Sequence, residues 1–165
     1  MKFLYCYKKG TRIENQKNWI NEDIKVFTPQ IWNLMLPGEN WNTKTVIGRL
    51  MFQMISKGKA KIYYVHDGND LKHRSYVIPK CSKFPFLGAS DYEIGPCYTE
   101  PKYRGRGIYP TMLKWICESV GNQDTTFYMI VDENNVSSIK GIEKAGFVKC
   151  GTVEVTKYTR RYRLV

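Results

Sequence analysis

Residues 93–115 have the sequence EIGPCYTEPKYRGRGIYPTMLKW, which predicts a strand, a turn rich in glycine and arginine, and then a helix. The strand covers residues 93–99, the turn 103–108, and the helix 109–120. Apolar residues follow at helical spacing in this last part, namely Met112, Leu113, Trp115 and Ile116. The order strand, turn and helix is typical of a fold that mixes helices with a sheet.

The turn has the chemistry of an anion-binding site. The first amide N–H groups of a helix lack an intrahelical partner, and the helix dipole adds partial positive charge there. Gly105 and Gly107 allow the backbone to approach a ligand closely, and Arg104 and Arg106 add fixed positive charge. A diphosphate suits this arrangement. A turn that merely requires glycine is the simpler alternative.

Two motifs in this half of the chain resemble those of one family. Arg104-x-x-Gly107-x-Tyr109 after a strand resembles the acetyl-CoA-binding motif of the GNAT superfamily of N-acyltransferases, (Gln/Arg)-x-x-Gly-x-(Gly/Ala), with Tyr109 in place of the last small residue. Asn135-x-x-Ser138 followed by EKAGF at 143–147 resembles the second motif of that family. Their order and spacing also agree with the family. The Rossmann glycine motif and the P-loop motif do not occur.

The resemblance implies a fold and a cofactor. The fold is a mixed α/β sheet, splayed between the central strand and the strand at 125–131 and flanked by helices, in a single domain over residues 1–165. The acyl donor is acetyl-CoA. The residues expected to bind it are Cys97, Tyr98, Thr99, Arg104, Gly105, Arg106, Gly107, Ile108, Tyr109 and Asn135.

The implied chemistry is transfer of an acetyl group from acetyl-CoA directly to a primary amine. The amine must lose a proton, so a general base is needed. Glu93 on the central strand matches the catalytic glutamate of the histone-acetylating members of the family, and Asp91 is a weaker alternative. A glutamate in a salt bridge at the strand edge is the simpler interpretation of Glu93. Cys97 has no evident histidine partner, so direct transfer is expected rather than an acyl-enzyme.

The resemblance also implies which group stabilises the oxyanion, but it leaves open which group protonates the leaving thiolate. The backbone amide around Tyr98 is the expected catalytic donor to the oxyanion. The family often protonates the leaving thiolate with a tyrosine seven residues after the motif asparagine, where this chain has Ile142. Water, Tyr128 or Tyr109 are the remaining candidates, or the thiolate leaves unassisted.

The net charge of the chain indicates which classes of molecule it attracts. The chain has 165 residues and a net charge of +11, from 26 basic and 15 acidic residues. Such a field attracts anions, including a nucleotide cofactor or a nucleotide-linked amino sugar as the acceptor. No nucleic-acid-binding motif accompanies the charge, so we do not expect nucleic acid to be the main partner. Two alternatives remain: a degenerate module that binds acyl-CoA without turnover, and a basic nucleic-acid-binding domain.

Other features set the expected environment. No run of about 18 apolar residues occurs, so no membrane span is expected. The five cysteines are scattered without a CxxC pair, and only two histidines are present. We therefore expect free thiols in a reducing cytoplasm and no metal site. A homodimer remains open.

The flanking segments have weaker patterns. Trp19, Trp32 and Trp41 are expected to pack in the core, or else to line a pocket. The predicted elements are an edge strand at 1–9, a helix at 42–57 capped by Asn42, a hairpin of strands at 60–66 and 72–78, an irregular aromatic crossing at 79–88, and final strands at 147–156 and 157–165.

Overall fold

The computed structural model describes residues 2–10, 23–39 and 42–165. The expectations for Trp19 and Trp41 lie outside the described residues. A three-residue 3₁₀ turn covers Pro101–Tyr103. The other elements are β1 (Lys2–Lys8), β2 (Lys25–Phe27), α1 (Thr43–Ile55), β3 (Lys61–Asp67), β4 (Asp70–Pro79), β5 (Tyr92–Thr99), α2 (Ile108–Ser119), β6 (Thr126–Asp132), α3 (Val136–Lys144), β7 (Val148–Val155) and β8 (Tyr162–Leu164).

Eight strands form one sheet in the order β2-β3-β4-β5-β6-β1-β7-β8. Among the strands of the described residues, only the β5–β6 pair is parallel, so the predicted mixed α/β class is confirmed. The prediction that the first strand lies at an edge is wrong, because β1 pairs with β6 on one side and with β7 on the other. Its near-continuous apolar run, FLYCY, suits a strand covered on both faces.

Local sequence signals place the helices. Asn42 caps α1, since its side chain accepts a hydrogen bond from the Thr45 amide at 3.2 Å. The apolar stripe of α2 is buried, including Leu113 and Ile116, both 0% exposed. None of the helices in the described part of the chain is long and apolar enough to cross a membrane.

Two apolar cores lie on the two faces of the sheet. Alternate residues of β3 divide between them: Tyr63 and Val65 belong to the core beneath α2 and α3, which we call the α2 face. Ile62 and Tyr64 belong to the other core, with Phe52 of α1 packed against it, which we call the α1 face. Side chains of one strand therefore reach one core or the other according to the direction in which they point.

The sheet opens between β5 and β6, as the resemblance implies. Their parallel pairing covers only Tyr92 with Phe127 and Glu93 with Tyr128. By contrast, β4 stays paired with β5 as far as Thr99, and β1 stays paired with β6 along its whole length. Beyond Glu93 one edge of β5 is thus free of a strand partner.

Two further expectations are corrected at the periphery. The last strand is shorter than predicted, because residues 157–159 form a turn and β8 covers only Tyr162–Leu164. Trp32 is 82% exposed, so the expectation that it packs in the core is wrong. The short bridge between Gln30 and Asn33 turns the chain there and leaves the indole outside both cores.

Candidate active site

A groove of about 590 Å³ lies between the free edge of β5, the start of α2 and the start of α3. All the predicted cofactor residues line it except Arg106. The full lining is Cys97, Tyr98, Thr99, Tyr103, Arg104, Gly105, Gly107, Ile108, Tyr109, Pro110, Asn135, Ser137, Ser138, Lys140, Gly141 and Lys144. We call this space the donor groove.

The glycine turn delivers α2 to the groove. Gly105 and Gly107 have φ values of 75° and 78°, a conformation that residues with a side chain rarely adopt. Gly107 is the N-cap of α2, so the amides of Ile108 and Tyr109 have no intrahelical partner, whereas Pro110 has no N–H and the Thr111 amide donates to the Gly107 carbonyl. The first two amides face the groove together with Arg104, whose Nε donates to the Thr99 carbonyl at 3.0 Å.

The two turn arginines have different roles. The guanidinium of Arg106 lies 5.5 Å from the centre of the Tyr103 ring and does not line the groove. Tyr103 is itself buried and donates from its hydroxyl to Asp67 at 3.2 Å. Arg106 therefore packs on the anchor of the turn, and Arg104 is the turn arginine available to a ligand.

The charge of the donor groove is entirely positive. Arg104, Lys140 and Lys144 line it, and its lining in the described part of the chain includes no aspartate or glutamate. The two lysines were missed by the sequence analysis. Their i, i+4 spacing on the helix that follows the motif asparagine was the signal that could have revealed them.

Asn135 contributes mainly through helix geometry. Its Oδ1 accepts from the Ser138 amide at 3.2 Å and from the Ser137 hydroxyl at 3.1 Å, so it caps α3. The start of α3 is thereby fixed next to the start of α2. Two helix N-termini thus face the same groove, which favours a ligand with several negative charges.

Tyr109 fills the place where the family motif has a small residue. A Cβ built on Gly141 of α3 would lie only 2.6 Å from Cδ1 of the Tyr109 ring, so the ring occupies the space left by that glycine. Burial raises the pKa of Tyr109, with smaller contributions from Cys97 and Glu93. The phenol therefore stays protonated and lies near β5.

Glu93 is a deeply buried carboxyl at the point where the sheet opens. It is 5% exposed, and its Oε2 has no hydrogen-bond partner among the described residues. Burial raises the pKa of Glu93 to about 8, and the Lys83 ammonium offsets part of that rise. Glu93 pairs with Ile78 of the α1-face core, so its side chain points to the face opposite the donor groove.

The weaker base candidate, Asp91, is occupied by structural bonds. One of its oxygens accepts from the Gly88 amide at 2.7 Å, and the other accepts from the Thr126 amide at 3.0 Å. These bonds hold the aromatic crossing to the first residue of β6. Both carboxylate oxygens are thus used, which favours Glu93.

A line of hydrogen bonds that the sequence analysis missed joins β4 to β5 beside the groove. His73 contacts the Thr99 hydroxyl through Nδ1 at 2.7 Å and the Ser75 hydroxyl through Nε2 at 2.8 Å. Ser75 in turn donates to the Cys97 sulfur at 3.2 Å. Because the Ser75 hydroxyl donates its proton to the Cys97 sulfur, its oxygen accepts from the Nε2–H of His73. Nδ1 of His73 then accepts from the Thr99 hydroxyl. The signal was His-x-Ser and Cys-x-Thr, each on one face of a strand.

This line does not make Cys97 a nucleophile. Burial raises the pKa of the Cys97 thiol to about 12, despite the bond from Ser75. Burial, and then the Arg74 guanidinium, lower the pKa of His73 to about 3. The thiol keeps its proton, and the imidazole does not readily take up a proton. The role of these hydrogen bonds is therefore to fix the geometry of the two strands. All five cysteines are free thiols.

Tyr98 connects the donor groove to a second one. A groove of about 470 Å³ is lined by Tyr98 and by polar residues that include Arg74, Asp70, Glu100 and Lys102. The Tyr98 ring lies between two guanidinium groups, that of Arg74 at 5.0 Å and that of Arg104 at 5.8 Å from its centre. We call this space the polar groove. Tyr98 alternates with Cys97 along β5, so the two side chains point to opposite faces.

A buried ion network supports the polar groove. Glu39 pairs with Arg49 at 2.6 Å and with Arg74 at 2.9 Å. Arg49 is 1% exposed and also donates to the Tyr76 hydroxyl at 2.8 Å. The guanidinium of Arg74 is therefore held by Glu39, which is itself fixed by Arg49.

Ile142 belongs to the core. It is 1% exposed and packs with the residues beneath α2, so the family's usual tyrosine position offers no proton donor here. Tyr109 is the candidate phenol that lines the donor groove, whereas Tyr128 is not part of its lining.

Comparisons with known proteins agree with this geometry. The model of the acetyltransferase (GNAT) family matches residues 39–147. A solved acetyltransferase of the GNAT family from Colwellia psychrerythraea superposes with a TM-score of 0.60 at 14% identity, over 90% of this chain and 52% of that one. A GNAT-family protein from Novosphingobium aromaticivorans gives 0.54 at 17% identity, over 90% and 60%.

The limits of these matches are also clear. Identities this low show the fold alone, and this chain spans about half the length of the first of those proteins and 60% of the second. A search of curated proteins finds no significant match. The family model nevertheless covers most of the chain, including both motifs and the splayed strands, and the chain belongs to the acetyltransferase (GNAT) family.

Proposed function

We propose that the protein transfers the acetyl group of acetyl-CoA directly to a primary amine of a small acceptor, with Glu93 as the general base. The observation that carries this proposal is the buried carboxyl of Glu93 at the point where β5 separates from β6, whose Oε2 has no hydrogen-bond partner among the described residues. An amine attacks only when neutral, so a nearby group must take its proton. A carboxyl whose pKa is about 8 suits that exchange near neutral pH.

The donor groove supports acetyl-CoA as the acyl donor. Its pantetheine arm would lie along the free edge of β5 and hydrogen-bond to that backbone as an added strand does. Its diphosphate would meet the first turn of α2 and Arg104, with Lys140 and Lys144 across the groove. An all-positive lining suits a cofactor that carries several phosphates.

The remaining chemical roles fall to β5 and α2. The backbone amide around Tyr98 would donate to the oxyanion that forms at the thioester carbonyl. Tyr109 lines the groove, and its raised pKa keeps the hydroxyl proton in place. It is therefore the best candidate to donate a hydrogen bond to the leaving thiolate, in place of the family's usual tyrosine.

The acceptor would approach from the α1 face, where the Glu93 carboxyl lies. The polar groove on that face is lined by the cations Arg74 and Lys102 and by three acids, Glu39, Asp70 and Glu100. Arg74 pairs with Glu39, and Lys102 pairs with Asp70. The net charge of +11 favours an acceptor that carries an anionic group as well as an amine. A nucleotide-linked amino sugar is the first candidate, and other small amines follow.

Calorimetric titration with acetyl-CoA tests the donor half of the proposal. We expect saturable binding by the unchanged protein and about tenfold weaker binding by Arg104→Ala, since losing one charged contact costs about 1.4 kcal/mol. Arg106→Ala is the matched control, because that side chain lies outside the groove, and we expect less than a twofold change. Equal losses in the two variants would contradict the assignment of the groove.

A binding module without turnover is the second candidate, and the buried Ile142 favours it. Release of free thiol from acetyl-CoA, measured against a panel of amines headed by amino-sugar nucleotides, separates the two. Acceptor-dependent release would support the enzyme. Tight acetyl-CoA binding with no release for any amine would favour the module.

A further inference from the structure

Lys83 lies in an unusual place for a lysine. Its ammonium is close to three aromatic rings, at 4.6 Å from the centre of Phe52, 5.4 Å from Phe84 and 5.8 Å from Tyr162. These rings come from α1, from the crossing between β4 and β5, and from β8. We call them the aromatic cage. A cation over several ring faces is held by their negative electrostatic faces, more strongly when it is shielded from water.

The cage is itself rigid. The rings of Phe84 and Tyr162 are stacked, with centres 5.4 Å apart and planes inclined by 13°. The Tyr162 amide donates to the Lys83 carbonyl at 3.0 Å, which ties β8 to the crossing. The rings hold the ammonium of Lys83, and the bond to Tyr162 holds its backbone. Burial lowers the pKa of Lys83, and Glu93 counteracts that change.

The nearby buried group that can carry a charge of opposite sign is the Glu93 carboxyl. Both groups lie on the α1 face: Glu93 pairs with Ile78, which packs in the same core as Phe84. Oε2 of Glu93 has no hydrogen-bond partner among the described residues, so the interaction is electrostatic through the protein interior. Charges interact more strongly there than in water.

We propose that Lys83 is a positioning residue for Glu93: the aromatic cage holds a half-buried positive charge on the α1 face, where it stabilises the carboxylate form of the base. This inference rests on the proposed function of Glu93. The other ionisable groups that act on Glu93 or are acted on by it come from β5, α2 and β8, and are Cys97, Tyr109 and Tyr162. All three are uncharged near neutral pH, so Lys83 supplies the one cation named among these neighbours in the described chain.

The ammonium has further neighbours of its own. They are Cys81, Lys2 and Arg160, of which the two cations disfavour its charge. The cage and Glu93 together offset this repulsion. Without Glu93 the lysine would be easier to deprotonate, and without Lys83 the glutamate would be harder to ionise.

Titration of Glu93 by ¹³C NMR, in protein labelled at glutamate carboxyls, tests the inference without requiring turnover. The Glu93→Gln variant assigns the signal. We expect Lys83→Met, which keeps the length and apolar contacts of the chain, to raise the pKa of Glu93 by about one unit. Lys83→Arg keeps the charge and should leave that pKa within a few tenths. Lys80→Met, at an exposed position of the same crossing, is the matched control and should leave it unchanged.

An unchanged Glu93 titration in folded Lys83→Met would overturn the inference. If that variant does not fold, Tyr162→Leu opens the cage from β8 and should move the Glu93 titration upward by a smaller amount; no movement there would overturn it equally. The proposed function is tested separately. An absence of acceptor-dependent thiol release in the unchanged protein would contradict the proposed acetyl transfer, but it would not alter the measured effect of Lys83 on the pKa of Glu93.

Discussion

Glu93 shows how one glycine makes room for a buried acid. A Cβ on Gly95 would come within 2.7 Å of Oε1 of Glu93, so the carboxyl lies in the space above that glycine. Because the carboxylate form is poorly solvated there, the acid keeps its proton up to a pH of about 8. Raising the pH removes the proton and creates the base.

The raised pKa of Glu93 determines how the rate depends on pH. We expect acceptor-dependent turnover at subsaturating substrate to rise with pH and to level off above about 8, because only the carboxylate accepts a proton. Glu93→Gln should lose about 10²- to 10⁴-fold in turnover at pH 8, the usual range for a general base. Its affinity for acetyl-CoA should be unchanged by calorimetry. Wild-type rates from the Gln variant would require another base.

At the scale of elements, α2 and α3 meet through a ring and a glycine. Tyr109 departs from the family motif, and Gly141 leaves the space that accommodates it. The departure at one helix is thus matched by a small residue on the other, and the two helix N-termini still face one groove.

Alanine substitution tests this fit. Gly141→Ala should destabilise the protein by about 1–3 kcal/mol in urea unfolding, because overpacking against the ring outweighs the gain in helix propensity. Gly48→Ala is the matched control, also inside a helix but with nothing within 4 Å of the new Cβ, and should stabilise by up to about 1 kcal/mol. Combining Tyr109→Ala with Gly141→Ala should remove the clash. Equal effects at the two glycines would refute the ring-and-glycine contact.

The whole molecule combines a splayed sheet with a strongly positive charge. The net charge of +11 attracts any polyanion at long range, and the donor groove adds shape and two helix N-termini to that attraction. Binding that depends on the field alone is screened by salt, whereas contacts within a groove are screened much less.

Salt therefore distinguishes the cofactor from nucleic acid. Raising the salt concentration from about 50 mM to about 200 mM should weaken binding to duplex DNA by about 10³-fold or more if several phosphates are contacted. The affinity for acetyl-CoA should fall less than about tenfold, since in the proposed complex part of the binding would be through the backbone of β5 and α2. Fluorescence anisotropy measures the first and calorimetry the second. Tighter binding to DNA than to acetyl-CoA at the higher salt would support the nucleic-acid alternative.

Local signals predicted most elements correctly. The Asn42 cap, the hairpin turn between β3 and β4 and the glycine turn before α2 act over a few residues, and the elements they bound occur where expected. The errors concern long-range placement. The central position of β1 and the exposure of Trp32 depend on which distant strand or core reaches those residues.

The sequence by itself determined the mixed α/β class, the family, and the glycine turn before α2, because these depend on motifs within short segments. Tertiary structure alone decided three pairings: Lys83 with Glu93, Tyr109 with Gly141, and Cys97 with His73 through Ser75. Members of the last two pairings are 24 or more positions apart, and all three depend on strand register and helix packing. No periodicity along a chain encodes which side chains the folded interior brings together.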